Sequence, residues 1–124
     1  MMKYILITIA LLLYGLSSRA QNSIEFSSVN HDFGTIEESG GDVKCNFFLK
    51  NISDKPIIIT KIRSGCSCVT TSYSRKPLLP QATDTLRVTF DPRFRTGVLQ
   101  KNITVDISSE QTSTVLTISG FVKK

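Results

Sequence analysis

Val43, Cys45, Phe47 and Leu49 alternate with Lys44, Asn46, Phe48 and Lys50, and this alternation limits the folds open to the chain. A period of two sends successive side chains to opposite faces, so the segment reads as a half-buried strand. Similar short β-branched and aromatic runs recur from Ile24 onward, parted by Gly, Pro, Asn, Asp and Ser. Ile24 to Val29 and His31 to Ile36 form the first two, and Ser39-Gly40-Gly41-Asp42 is a turn of residues that tolerate positive φ. After a loop from Asn51 to Pro56, Ile57 to Ile62 is the next strand. Its unbroken apolar start predicts burial on both faces near the middle of a sandwich.

Ser64 to Cys68 interrupts the pattern, and Val69 to Tyr73 is a weaker, Thr-rich strand. Pro77 and Pro80 send residues 77–83 over an edge rather than through a sheet. Leu86, Val88 and Phe90 mark a strand that stops at Asp91-Pro92. Ile103, Val105 and Ile107 mark another, and Val115 to Val122 the last. The reading is all-β: an immunoglobulin-like antiparallel β-sandwich of seven to eight strands. Two facing sheets would bury the apolar sets.

The first twenty residues follow a different rule. Lys3 precedes an apolar run from Tyr4 to Leu16, and Ser18-Arg19-Ala20 puts small residues at −3 and −1. That is a signal peptide over residues 1–20 cleaved before Gln21, and it predicts an exported protein, periplasmic or secreted. The run falls short of the about 20 apolar residues a spanning helix needs. Residues 21–124 then form one domain, enough to bury roughly two-thirds of its unfolded surface without metal or disulfide support. Of 15 basic residues, Lys3 and Arg19 lie in the leader, leaving 13 against 10 acidic. These are dispersed from Lys44 to Lys124, unlike the one-faced basic patch of a nucleic-acid binder.

Four segments carry a resemblance: His31-Asp32-Phe33-Gly34-Thr35-Ile36, Phe48-Leu49-Lys50-Asn51, Ser64-Gly65-Cys66-Ser67-Cys68, and Val88-Thr89-Phe90-Asp91-Pro92 followed by Gly97. Their order and spacing resemble the bacterial family called domain of unknown function 1573, over about Ile24 to Val122. The resemblance implies an immunoglobulin-like domain related to major-sperm-protein and Hydin-type domains, often exported, and implies no activity. Two positions depart from the family pattern. Ser67 stands where Cys-Gly-Cys is usual, and Gln81 where a glycine usually follows the proline at Pro80.

Cys66 and Cys68 are the sharpest chemical feature. Residues i and i+2 of an extended segment point the same way, which brings the two sulfurs near each other. A structural disulfide suits an oxidising compartment, a thiolate pair suits copper(I) or zinc, and an exposed low-pKa pair would exchange disulfides. Metal binding wants more than two ligands, and His31 is distant in sequence. Cys45, third of an odd count, reads as a small buried hydrophobe or as a bridge partner for Cys66 or Cys68.

Arg93-Phe94-Arg95 is the second feature. It reads as a binding tip, because Arg and aromatics are enriched at interface hot spots. The plainer expectation is that Phe94 folds down to plug one end of the sandwich. His31 beside Asp32 reads as structural, since no nucleophile is spaced to use it. Asn51-Ile52-Ser53 and Asn102-Ile103-Thr104 match the glycosylation acceptor pattern. With no phosphate-cradling loop and no spaced metal motif, no cofactor is expected.

The expected function is therefore a non-enzymatic interaction or scaffolding module whose partner is another protein or a cell-envelope component. The alternative is a small thiol protein that binds a soft metal or exchanges disulfides through Cys66 and Cys68.

Overall fold

In a computed structural model, residues 23–108 and 113–124 are described, and the leader expected over residues 1–20 lies outside them. The described residues form eight strands and no helix: β1 (Ile24–Phe26), β2 (Asn30–Glu37), β3 (Val43–Asn51), β4 (Ile59–Arg63), β5 (Val69–Ser72), β6 (Thr83–Phe90), β7 (Gly97–Ile107) and β8 (Thr114–Lys123). They make two four-stranded sheets, ordered β1-β3-β6-β5 and β2-β8-β7-β4. The immunoglobulin-like sandwich is the fold. One pair, β2 with β8, runs parallel, so the second sheet is mixed.

The alternation of β3 has its expected consequence. Cys45, Phe47 and Leu49 are buried while Lys44, Asn46, Phe48 and Lys50 face solvent. Leu86, Val88 and Phe90 continue the inner face on β6. Opposite them lie Leu99, Ile103 and Val105 of β7 and Leu116, Ile118 and Val122 of β8. Fully burying a side chain of this kind contributes about 1.5–3 kcal/mol, so the two inner faces are the main source of stability. Burial also pushes the Cys45 thiol up to about 11. The neutral thiol is the form that folds, so this contribution holds below the ordinary thiol range and is lost as pH rises towards 11. A thiol reagent at pH 8 should therefore leave Cys45 unlabelled in the native protein and modify it after urea unfolding.

The run at Ile57 departs from expectation. β4 is an edge strand, and Ile58 is 38% exposed between buried Ile57 and Ile59. Ile57 sits in an isolated bridge with Leu78 rather than in β4, because the segment after Pro77 crosses the edge there. An unbroken apolar triplet does not say which of its members faces out.

The turn after Pro80 shows why the resemblance leads to glycine at position 81. Gln81 has a φ of 65°, the left-handed region where a side chain is strained and glycine is not. Its N–H still donates to the Asn51 carbonyl at 2.8 Å, so the turn holds the strained conformation in place. Gln81→Gly is expected to stabilise the protein by about 0.5–1 kcal/mol, relief of strain outweighing glycine's unfolded-state entropy. Urea unfolding checks this.

Candidate functional site

The register puts Val43, Phe90 and Val69 side by side at one end of the first sheet, and Gly97 opposite Val122 at the same end of the second. Three connections therefore converge there: residues 38–42, 64–68 and 91–96. Cys66 and Cys68 lie in the second as a disulfide, with Cα atoms 5.2 Å apart. Gly65, at φ +66°, turns the chain out of β4. The loop then docks through the Asp91 N–H, which donates to the Cys68 carbonyl at 2.9 Å. Cys68 is buried and Cys66 half-buried, and the Cys68 N–H lies 3.2 Å from the Cys66 sulfur. Cys45 stays a free buried thiol, so it is not tied to this loop. Among the described residues no cluster of three His, Cys, Asp or Glu side chains forms around the pair.

The Arg93-Phe94-Arg95 segment faces that disulfide. Asp91, Arg93, Phe94 and Arg95 line an open groove of about 320 Å³ together with Ser67 and Cys68. Asp91 organises the turn: its carboxylate accepts from the Arg93 N–H at 3.0 Å and from the guanidinium at 2.8–3.1 Å. Those hydrogen bonds hold the Asp91 carboxyl below the usual range, with the Arg93 charge adding to them. The Arg95 N–H donates to the Pro92 carbonyl at 3.2 Å and closes the turn. Phe94 occupies its third position with φ 62°, where turns of this kind favour glycine.

The plug expected of Phe94 is supplied by Pro92. Pro92 is fully buried, whereas Phe94 is 96% exposed. The proline occupies the end of the core, and the positive φ two residues later turns the phenyl ring out of it. Val98, 83% exposed at the start of β7, was not singled out by sequence reasoning. The alternation Val98-Leu99-Gln100 could have flagged it, since a valine opposite in phase to a buried leucine must face out.

His31 packs edge-on against Phe33, with ring centroids 4.6 Å apart, on β2. Asn51 of the first glycosylation-type motif is fully buried and is no acceptor.

With this geometry in view, comparison with known proteins decides the family. The family model described as protein of unknown function DUF1573 matches residues 24–122. The chain belongs to that family. Among curated proteins none matches.

The fold is also similar to solved structures. The ASH/PapD-like domain 7 of human CEP192 aligns with a TM-score of 0.71 at 13% identity, covering 88% of this chain and 93% of that one. A protein of unknown function from Porphyromonas gingivalis W83 aligns at 0.67 and 14% identity, covering 85% of this chain and 51% of that one. This DUF1573 chain thus spans about half the length of the P. gingivalis protein. WR4, a C. elegans major-sperm-protein family member, aligns at 0.55 and 8% identity, covering 83% and 100%. At these identities the likeness is one of fold. Among the described residues, no helix is long and apolar enough to cross a membrane.

Proposed function

We propose that this DUF1573 domain is an exported, non-enzymatic interaction module that binds another protein or an envelope component through the Arg93-Phe94-Arg95 end. One observation carries the reading: Phe94 is at once almost wholly exposed and held at positive φ. An exposed phenyl ring gains nothing from burial, and a non-glycine residue in the left-handed region costs about 1–3 kcal/mol. A residue that is unfavourable on both counts in the free domain makes sense if a partner covers the ring. Arg93 and Arg95 flank it with donors suited to a carboxylate or phosphate. PapD-like and major-sperm-protein folds support such a role by fold analogy alone.

Photo-crosslinking tests it. Benzoylphenylalanine at position 94 is expected to capture a partner in cells, whereas the same group in place of Phe48, exposed on the outer face of β3, is not. Equal labelling from both positions would end the reading. Phe94→Gly should leave stability unchanged or raise it by up to about 1 kcal/mol, while weakening partner binding about tenfold or more.

The thiol reading has one supporting feature, the half-buried Cys66, which is more exposed than its buried partner Cys68. In an exchange, an incoming thiolate bonds to the Cys66 sulfur, the Cys66–Cys68 bond breaks, and Cys68 leaves as a thiolate. That leaving group is buried, and burial disfavours the charged sulfur, so exchange through it would be slow. A three-residue loop also contributes little chain entropy, about 1–2 kcal/mol. The Cys66→Ser, Cys68→Ser double variant is expected to lose no more than that in urea unfolding and to retain the crosslink from position 94. A crosslink abolished with stability intact would transfer the function to the sulfurs.

A further inference from the structure

The second sheet has an incomplete edge. β4 pairs with β7 only from Ile107 back to Thr104, after which the chain leaves β4 and crosses to the other sheet at Val69. Gly97 to Ile103 of β7 therefore has β8 on one side and, among the described residues, no strand on the other. Seven residues of open edge span about 23 Å, enough for a whole added strand. An open edge is a row of unpaired N–H and C=O groups, which chains blunt or use.

Features of the surroundings favour use. Phe94 and Val98, the two most exposed apolar side chains among the described residues, stand at the start of this edge. Beside it lies an open hollow of about 370 Å³, reached by Phe90, Leu99 and Val122 from the core and walled by Phe94, Arg95 and Lys101. Among the described residues Lys101 forms no ion pair, and the Asp91 carboxylate that Arg95 senses is already bonded to Arg93. The edge thus offers backbone groups, an apolar patch and two positive charges with no acidic partner of their own.

Building on the interaction-module reading, we infer that the open half of β7 binds an extended acidic and apolar segment of a partner protein by strand addition, as a continuation of β4. Backbone hydrogen bonds supply the affinity, and alternate side chains supply the selection. One set lies over Val98, and the other carries carboxylates to Arg95 and Lys101.

The test uses the protein recovered after expression of the full chain, isotopically labelled. Its probes are capped seven-residue peptides alternating valine with glutamate or with lysine. The glutamate peptide is expected to shift and protect amides of residues 97–103 and to bind about tenfold tighter than the lysine peptide. Lys101→Glu should reverse that order. Backbone N-methylation at either the valines or the glutamates, but not both, should abolish binding, since only one set faces the edge.

Binding indifferent to both methylations, or no change at residues 97–103, would overturn strand addition. Changes confined to residues 92–96 would do so while leaving the loop reading intact. Protection of the edge in a concentration-dependent dimer without peptide would show that a second copy is the occupant and overturn the proposal. Edge binding that survives Phe94→Gly, with the position-94 crosslink absent, would instead sink the loop reading alone.

Discussion

Asn51→Asp is expected to destabilise the domain by about 3–5 kcal/mol at neutral pH, because it places an uncompensated charge in the interior. Asn51 is fully buried at the end of β3, opposite the candidate site. Its amide donates to the Lys55 carbonyl at 2.8 Å and to the Leu78 carbonyl at 2.9 Å. Its side-chain oxygen accepts from the Ser53 N–H at 2.9 Å and the Ser53 hydroxyl at 2.7 Å. One side chain thereby ties the 51–56 loop to the segment that crosses the edge at Leu78.

A carboxylate in the same place meets two carbonyl oxygens where two N–H groups stood. Protonation restores one donor, so the loss should shrink as pH falls and deepen as pH rises through the carboxyl's raised titration range. Asn51→Ala, which removes the bonds without adding charge, should cost about 1–3 kcal/mol. Urea unfolding of both variants at pH 7 and at acid pH distinguishes the effects. Equal losses that do not change with pH would mean that only volume matters at this position.

Asn51 also shows where reading a sequence stops. Its neighbours Phe48, Leu49 and Lys50 could be assigned to a strand face because period two fixes which side each one takes. The polar hub could not, since its partner Leu78, 27 residues on, becomes a neighbour only when the chain crosses the edge. The same limit explains the rest. Strands β3, β6 and β8 were legible because local alternation matches burial there. The parallel pairing of β2 with β8 was not, being a relation between segments some eighty residues apart.

At the candidate site the residue types were legible and their orientation was not. Arg93-Phe94-Arg95 stood out by composition, yet whether Phe94 or Pro92 entered the core depended on one φ angle. The nearness of Cys66 and Cys68 was suggested by their spacing, whereas the alternation around Cys45 predicted its burial and left open whether it was bridged. The open edge of β7 was invisible, because it arises from where β4 ends relative to β7.

Gly120→Ala should cost about 2–3 kcal/mol, by overpacking at a backbone contact that has no room to give. Gly120 lies on β8 where β2 runs beside it, and a Cβ there would sit 2.8 Å from the Gly34 carbonyl oxygen. The Ile36 and Phe33 side chains close the space at 3.4 and 3.5 Å. Gly34 cannot easily retreat. It occupies the irregularity between Asp32 and Thr35 at φ +70°, its N–H held by the Asp32 carboxylate at 2.8 Å.

The added methyl must therefore push β2 away from β8 rather than settle between them. Beyond β2 the Glu38 N–H donates to the Lys123 carbonyl at 2.8 Å, so the strain reaches the 38–42 turn beside Phe94. The expected result is a lower urea midpoint with faster amide exchange in β2 and the 38–42 turn, while β3, β6 and β7 keep their protection. A loss below about 0.5 kcal/mol would mean that the parallel pair tolerates a side chain there. Uniformly faster exchange in every strand would mean that β2 is part of the cooperative core rather than an edge clamped onto it.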